Sequence, residues 1–244
     1  NGTIFDQLHR HGISWANYFS DIPMTFVLAW NAIRHLENHH GIEKFYEACA
    51  AGTLPAVSFV DPRIDPFSNI GKPFSQLPRP LYDALQRLDA DLEAKHPAES
   101  QEDPQDMRPG EQWAQRVVSA VLNSPAWERT CLIYIYDEHG GYYDHVPPPE
   151  AIAPDQIRPV LSPGDPHVGY TQYGPRVPAI VVSPYSRRQT VTDVVHDHTS
   201  VLATIERKWN LPALTLRDAN AADVMDFLDL ENQARSAPVP PRVL

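Results

Sequence analysis

One short segment carries most of the residue types that could do chemistry. It spans residues 136–149 and contains the adjacent acids Asp137 and Glu138, followed directly by His139. Two neighbouring carboxylates repel each other unless a cation or a proton neutralises them, so a divalent metal ion would satisfy the pair. A solvated loop or a helix cap is the alternative, and residue chemistry by itself leaves both interpretations open.

The same segment supplies proton carriers and an open stretch of backbone. His139 and His145 are further candidate ligands or acid/base groups. Gly140 and Gly141 have no side chains, so a substrate could approach the backbone closely there.

A second cluster spans residues 196–200, at the start of a predicted helix. His198 lies near the helix N-terminus, where the dipole favours a neutral imidazole that can act as a ligand or base. Asp197 or Thr199 could instead serve as a simple helix cap.

Arg63 follows an apolar run over residues 56–60. Its planar guanidinium suits a phosphate oxyanion. An ion pair with Asp61 that fixes a turn is an equally good interpretation.

These residues need a scaffold, and the hydrophobic pattern predicts alternating helices and strands. Such alternation indicates an α/β fold with a mainly parallel sheet, whose functional residues follow the carboxyl ends of the strands. The predicted helices span residues 3–11, 25–35, 42–50, 81–95, 110–122, 197–210 and 221–228, and the predicted strands span 13–19, 56–60, 131–136 and 179–183.

Composition excludes several classes of function. The 244 residues include 31 acidic and 20 basic side chains, a net charge of -11, which argues against nucleic-acid binding and weakly against an anionic membrane surface. No apolar run is long enough for a transmembrane helix.

We expect Cys49 and Cys131 to be free thiols, with Cys131 buried. A nucleophile elbow, a glycine-rich phosphate loop, a dinucleotide fingerprint and a Cys-x-x-Cys pair are all missing from the sequence.

The segment of residues 136–149 resembles the signature of the phosphoesterase family. Its sequence is Tyr-Asp-Glu-His-Gly-Gly-Tyr-Tyr-Asp-His-Val-Pro-Pro-Pro. That family contains bacterial and plant non-specific phospholipases C and related acid phosphatases. Supporting segments occur in the family's order at residues 51–63, 108–112, 123–127, 176–178, 183–184, 198–200 and 205–206. The resemblance covers about residues 1–210, which we treat as the C-terminal part of a catalytic domain, and residues 211–244 as a C-terminal helix and tail.

The resemblance implies an alkaline-phosphatase-like α/β/α sandwich and metal-assisted phosphoryl transfer through a phospho-enzyme on Ser or Thr. It assigns a divalent metal ion of unknown identity to Asp137 and Glu138. We expect catalytic roles for His139, His145 and His198. Substrate-binding roles are expected for three further residues, Arg63, Gly140 and Gly141.

The sequence departs from the family's pattern in two places. Family members are usually longer, and their N-terminal half supplies a Glu-Asn metal pair and the nucleophile. Neither the pair nor the nucleophile is found in this chain. Glu37-Asn38 is an adjacent Glu-Asn pair, but it lies in the wrong place for that role. The family's His-Pro dipeptide is replaced by Asp103-Pro104, and His96-Pro97 is displaced from the expected position.

We therefore expect hydrolysis of phosphate esters, with phospholipase C-type cleavage of phospholipids favoured over the acid phosphatase alternative. The second alternative is a non-catalytic truncated domain that needs an N-terminal half. Because cutting the fold would expose sheet edges, we expect the chain to associate with an N-terminal half chain or a second copy. The resemblance also favours export, either to the periplasm or by secretion.

Overall fold

The computed structural model describes residues 2–28, 34–63, 98–99, 101, 106–160 and 169–231. The chain forms two compact units, one from residues 14–126 and one from residues 1–13 together with 127–244. The predicted helix over residues 81–95 lies outside the described residues. The division at residue 210 stays a prediction.

The regular elements of the described residues alternate between helix and strand. The α-helices are α1 (Ile4–Arg10), α2 (Ile42–Ala51), α3 (Arg108–Leu122), α4 (Thr199–Trp209) and α5 (Leu216–Asn220); the strands are β1 (Trp15–Phe19), β2 (His39–Gly41), β3 (Val57–Asp61), β4 (Leu132–Ile135) and β5 (Ala179–Val182). Over the same residues, no helix is both long and apolar enough to cross a membrane.

The unit of residues 14–126 contains a parallel sheet in the order β2-β1-β3. The first four residues of β1 are buried, as expected for a central strand whose two faces are both covered. Helix α2 packs against the sheet and against α3, and the Tyr18 and Phe45 rings lie 5.5 Å apart between β1 and α2. The α/β class and the parallel sheet are thereby confirmed.

A buried hydrogen-bond network joins the three parallel strands. The fully buried Asn17 side chain donates to Asp61 Oδ2 at 2.8 Å and accepts from Thr25 Oγ1 at 2.7 Å. Asp61 Oδ2 also accepts from the backbone of Met24, and Thr25 Oγ1 lies 2.8 Å from His39 Nε2. Burial raises the pKa of Asp61, so its carboxylate depends on these partners.

In the second unit, β4 and β5 pair antiparallel, with Leu132 opposite Val182 and Ile135 opposite Ala179. The expectation of a mainly parallel sheet is therefore wrong for these two strands. They are also less buried than their sequences suggest, and Ile180 is 58% exposed.

Local sequence signals explain where the helices begin and end. The Thr3 side chain accepts from the Asp6 backbone, and Asp6 Oδ2 accepts from the Thr3 backbone, so a capping box starts α1. Glycines in the left-handed conformation follow the last turns, Gly12 at φ 68° and Gly52 at φ 66°. These ends agree with the predicted ones.

Helices α4 and α5 meet at a pair of carboxyl groups. Glu206 and Asp218 are 4% and 1% exposed. Asp218 accepts hydrogen bonds from the backbones of Leu214 and Thr215 and from the Thr215 hydroxyl. A further hydrogen bond joins Glu206 to Asp218.

Three local predictions are corrected. The helix predicted over residues 221–228 is wrong, because the Thr215–Asp218 capping box starts α5 at residue 216 and only Val224–Phe227 adds a 3₁₀ turn. Of the helix predicted over 25–35, the described beginning is the 3₁₀ segment Met24–Leu28. Both cysteines are free thiols, but Cys131 is exposed because it precedes β4 instead of lying within it.

Candidate functional site

The acidic pair lies where the β4–β5 ladder ends. The Tyr136 backbone donates to the Pro178 carbonyl at 3.2 Å, which continues the pairing by one residue beyond Ile135 and Ala179. Asp137 is therefore the first residue to leave the ladder, and both Asp137 and Glu138 are exposed. The strand end positions the two carboxylates at the surface of this unit.

The turn that follows holds one oxygen of each carboxylate. The Glu138 backbone donates to Asp137 Oδ1 at 3.0 Å, and the Gly140 backbone donates to Glu138 Oε2 at 2.9 Å. Gly140 and Gly141 have φ values of 66° and 73°, which a residue with a side chain rarely adopts. The two glycines therefore permit the turn that orients the pair.

The histidines of the segment each accompany a carboxylate. His139 Nδ1 lies 3.6 Å from Glu138 Oε2, and its side chain is 34% exposed. His145 Nδ1 lies 3.8 Å from Asp144 Oδ1, and that imidazole is 84% exposed. Only His139 adjoins the candidate metal pair, whereas His145 adjoins a different acid.

That acid, Asp144, anchors the far end of the loop. Arg176 donates to it through Nε at 2.9 Å, through a terminal guanidinium nitrogen at 3.0 Å and through its backbone at 3.0 Å. These hydrogen bonds hold the pKa of Asp144 well below its usual value. The Val146 backbone donates to Asp144 as well, so one carboxylate fixes both the loop and its neighbour segment.

His198 contacts the same strand end from the start of α4. Its Nε2 donates to the Tyr136 carbonyl at 2.8 Å, next to Asp137 in the chain. Asp197 accepts from the Thr199 backbone at 2.6 Å and so satisfies the first amide of α4 from the position before the N-cap residue, His198. The structure thus brings His198 to the acidic segment and supports the capping interpretation for Asp197.

Arg63 belongs to the other unit, where it is 3% exposed. Its Nε lies 3.9 Å from Asp21 Oδ2, and its backbone donates to Glu99 at 2.8 Å. Burial raises the pKa of Asp21 to about 6, and the nearby guanidinium only partly offsets this effect. Asp21, and not the expected Asp61, is thus an ion-pair partner of Arg63 in the described part of the chain. A substrate-binding role for Arg63 stays a prediction.

The donor set at Asp137 and Glu138 fits part of a metal site. Carboxylate oxygens suit hard divalent cations, and both groups are exposed enough to be reached. Among the described residues, however, no third His, Cys, Asp or Glu converges with this pair. Two carboxylates would supply fewer ligands than such a cation takes, so further oxygen ligands must come from elsewhere.

Asp144 and Arg176 were not assigned a site role from the sequence. The signal that could have identified them is antiparallel pairing of β4 with β5, since it brings the residues after β4 next to those before β5. Opposite charges in those two segments would then predict an ion pair.

Comparison with known proteins agrees with the resemblance. The model of the phosphoesterase family matches residues 1–212. Non-specific phospholipase C6 of Arabidopsis thaliana is 32% identical over 238 residues, which cover 93% of this chain and 41% of that protein. Non-specific phospholipase C1 of the same plant is 29% identical over 248 residues, covering 96% and 41%.

A bacterial relative matches a shorter stretch. Phospholipase C B of Mycobacterium tuberculosis is 39% identical over 116 residues, 43% of this chain and 22% of that protein. The chain spans 41% of the length of the plant relatives named above.

Proposed function

Because the chain belongs to the phosphoesterase family, with residues 1–212 matched, we propose that it takes part in hydrolysis of phosphate esters. The proposed reaction is phospholipase C-type cleavage of a phospholipid phosphodiester, the activity named for its plant and bacterial relatives. The family match across the acidic segment is the observation that carries this proposal.

In the proposed site, Asp137 and Glu138 would hold a divalent cation. Such an ion polarises a phosphoryl oxygen when it is bound. Gly140 and Gly141 leave the turn free of side chains, so the phosphate can lie close to the backbone. In the proposed step, the oxygen of a nucleophile that this chain does not supply bonds to phosphorus while the bond to the leaving oxygen breaks. His139, beside Glu138, gives a proton to that departing oxygen.

In this proposal, His198 lies at the start of α4 and contacts the end of strand β4. Because its Nε2 hydrogen is engaged by the Tyr136 carbonyl, its Nδ1 in the neutral ring is left as a proton acceptor. His145 lies farther along the loop beside Asp144, and we assign it proton handling near the substrate.

The finer fold assignment is part of the same proposal. We infer that the parallel sheet β2-β1-β3, with α2 packed on it, belongs to an alkaline-phosphatase-like α/β/α sandwich. The family membership supports this assignment. Association with an N-terminal half chain or a second copy, and export, stay predictions.

Turnover of two chromogenic substrates tests the proposal. A phosphocholine diester and a phosphate monoester would be assayed with the chain under a panel of Mg²⁺, Ca²⁺, Mn²⁺ and Zn²⁺. Because no nucleophile is assigned within this chain, we expect little diester hydrolysis by the chain alone. With an N-terminal half chain supplied, we expect metal-dependent diester hydrolysis that Asp137→Asn or Glu138→Gln lowers ~100-fold or more. The control Glu150→Gln, an exposed acid of the same unit, should retain the wild-type rate.

The other possible results of the two turnover assays favour different functions. Monoester hydrolysis with no diester hydrolysis would favour the acid phosphatase alternative. Equal turnover by wild type and Asp137→Asn would contradict the assigned site. Absence of turnover when the N-terminal half chain is also supplied would overturn the proposal and favour the non-catalytic alternative.

A further inference from the structure

Two consecutive tyrosines project from the loop that carries the acidic pair. Tyr142 is 52% exposed, Tyr143 is 92% exposed, and Val146 close by is 36% exposed. Single exposed apolar residues are common and need no explanation, but two consecutive exposed aromatic residues in one loop are more than that background. We call residues 140–143 the tyrosine tip.

The tyrosine tip is held in place at both ends. On one side, Gly140 and Gly141 form the left-handed turn, and the Tyr142 backbone donates to the His139 carbonyl at 3.2 Å. On the other side, Asp144 is clamped by Arg176 through two guanidinium nitrogens. A loop fixed in this way presents Tyr143 to its surroundings with little further loss of conformational entropy on binding.

The tip is also next to the candidate site. Glu138 is two residues before Gly140, and its carboxylate accepts from the Gly140 backbone. Any surface that the tip contacts is therefore brought close to Asp137 and Glu138.

The charges around the tip indicate what kind of surface it fits. Residues 140–143 carry no charge, and the charge of Asp144 is balanced by Arg176. The net charge of -11 opposes an anionic surface. A zwitterionic phospholipid surface carries no net charge, so the net charge of -11 does not repel it, and it suits an uncharged apolar tip.

We propose that the tyrosine tip docks the protein on a zwitterionic phospholipid surface and so delivers the headgroup phosphate to Asp137 and Glu138. This inference rests on the proposed function for the substrate it delivers. Tyrosine suits the task because its ring enters the interfacial layer while its hydroxyl stays hydrated.

Vesicle binding tests the inference without relying on turnover. Sucrose-loaded vesicles of phosphatidylcholine, and of phosphatidylcholine mixed with phosphatidylserine, would be sedimented with the chain. We expect binding to phosphatidylcholine that Tyr143→Ser lowers ~5-fold or more, whereas Tyr143→Phe stays within ~2-fold of wild type. Binding should weaken as phosphatidylserine is added.

The matched control is Ile157→Ser, another highly exposed apolar residue of the same unit, at 74% exposure. It should bind vesicles as wild type does. Because Tyr143 is almost fully exposed, circular dichroism and thermal melting of Tyr143→Ser should match wild type, which excludes misfolding.

Unchanged binding by Tyr143→Ser, or an equal loss in Ile157→Ser, would overturn the proposal. A tyrosine-dependent dimer in gel filtration without tyrosine-dependent vesicle binding would overturn it in favour of a second copy. Turnover of the soluble diester separates the two proposals. Turnover without vesicle binding contradicts only the docking surface, and tyrosine-dependent binding without turnover contradicts only the proposed function.

Discussion

Replacing Glu206 with glutamine should remove a defined part of the pH dependence of stability. Glu206 on α4 and Asp218 on α5 are both almost completely buried and hydrogen-bonded to each other. Burial, and next the contact with Asp218, raise the pKa of Glu206 to about 7 from its ordinary 4.5. Burial alone would raise the pKa of Asp218, but hydrogen bonds led by Thr215 outweigh this and lower it.

The proton of the pair therefore resides on Glu206, which donates to Asp218. Between about pH 4.5 and pH 7 the folded protein keeps this proton while the unfolded chain releases it. Stability must then fall as pH rises through this range and level off above it. A pKa shift of this size corresponds to at most about 3 kcal/mol in the free energy of unfolding. We expect this free energy to fall by roughly 1 to 3 kcal/mol as the pH rises through the range.

The glutamine amide can donate to Asp218 at any pH, so Glu206→Gln should be about equally stable at pH 5 and pH 8 as far as this pair is concerned. Urea unfolding followed by tryptophan fluorescence at both pH values measures the difference for wild type and variant. Arg207 is the charged neighbour that lowers the pKa of Glu206, and it is already paired with Asp223 at 2.8 Å. Its charge is the same in both proteins.

Exposed Glu150→Gln is the matched control and should keep the wild-type pH dependence. The titration of Asp21, whose pKa is raised to about 6, contributes equally to wild type and variant and cancels in the comparison. If Glu206→Gln loses as much stability from pH 5 to pH 8 as wild type does, the shared-proton argument is refuted.

Three further predictions concern packing, capping and the loop clamp. Leu8→Ala should lower the free energy of unfolding by about 2–5 kcal/mol, because Leu8 is fully buried, whereas Leu36→Ala, 60% exposed, should change it by less than about 0.5 kcal/mol in urea titrations. Thr3→Ala removes the α1 capping box and should cost about 1 kcal/mol in the same assay; a cost near zero would show that the cap is dispensable. Asp144→Asn weakens the clamp with Arg176, so chymotrypsin should cleave the loop several-fold faster than in wild type, and an unchanged cleavage rate would contradict the clamp.

Helix boundaries were predictable because their signals are local. Gly12 and Gly52 end α1 and α2 in the left-handed conformation, as their sequence positions predict. The start of α5 carried a signal of the same kind, Thr215 followed by Asp218 three residues later. That signal places the helix at residues 216–220 and not at residues 221–228.

The pairing of β4 with β5 could not be predicted in the same way. An apolar strand has the same composition whether its neighbour runs parallel or antiparallel, and here the partners lie more than forty residues apart. The contact between Asp144 and Arg176, 32 residues apart, depends on that pairing and was missed with it. The acidic segment itself was identified because its residue types are unusual as well as adjacent.

The buried network of Asn17, Thr25 and Asp61 was also missed. Each member lies in or beside an apolar stretch, where a single polar residue gives no clue to its partner. Only the register of β1 with β3, which places Phe19 opposite Asp61, brings the groups within reach.

The β4–β5 ribbon has a consequence for how long the candidate site keeps its shape. Two strands paired only with each other are marginally stable, so among the described elements this ribbon should open by local fluctuation more often than the three-stranded sheet. Each opening would break the backbone hydrogen bond from Tyr136 to Pro178 just before Asp137. Amide hydrogen exchange at Tyr136 would therefore report the lifetime of the acidic pair's arrangement, and a ligand that bridges Asp137 and Glu138 should slow that exchange.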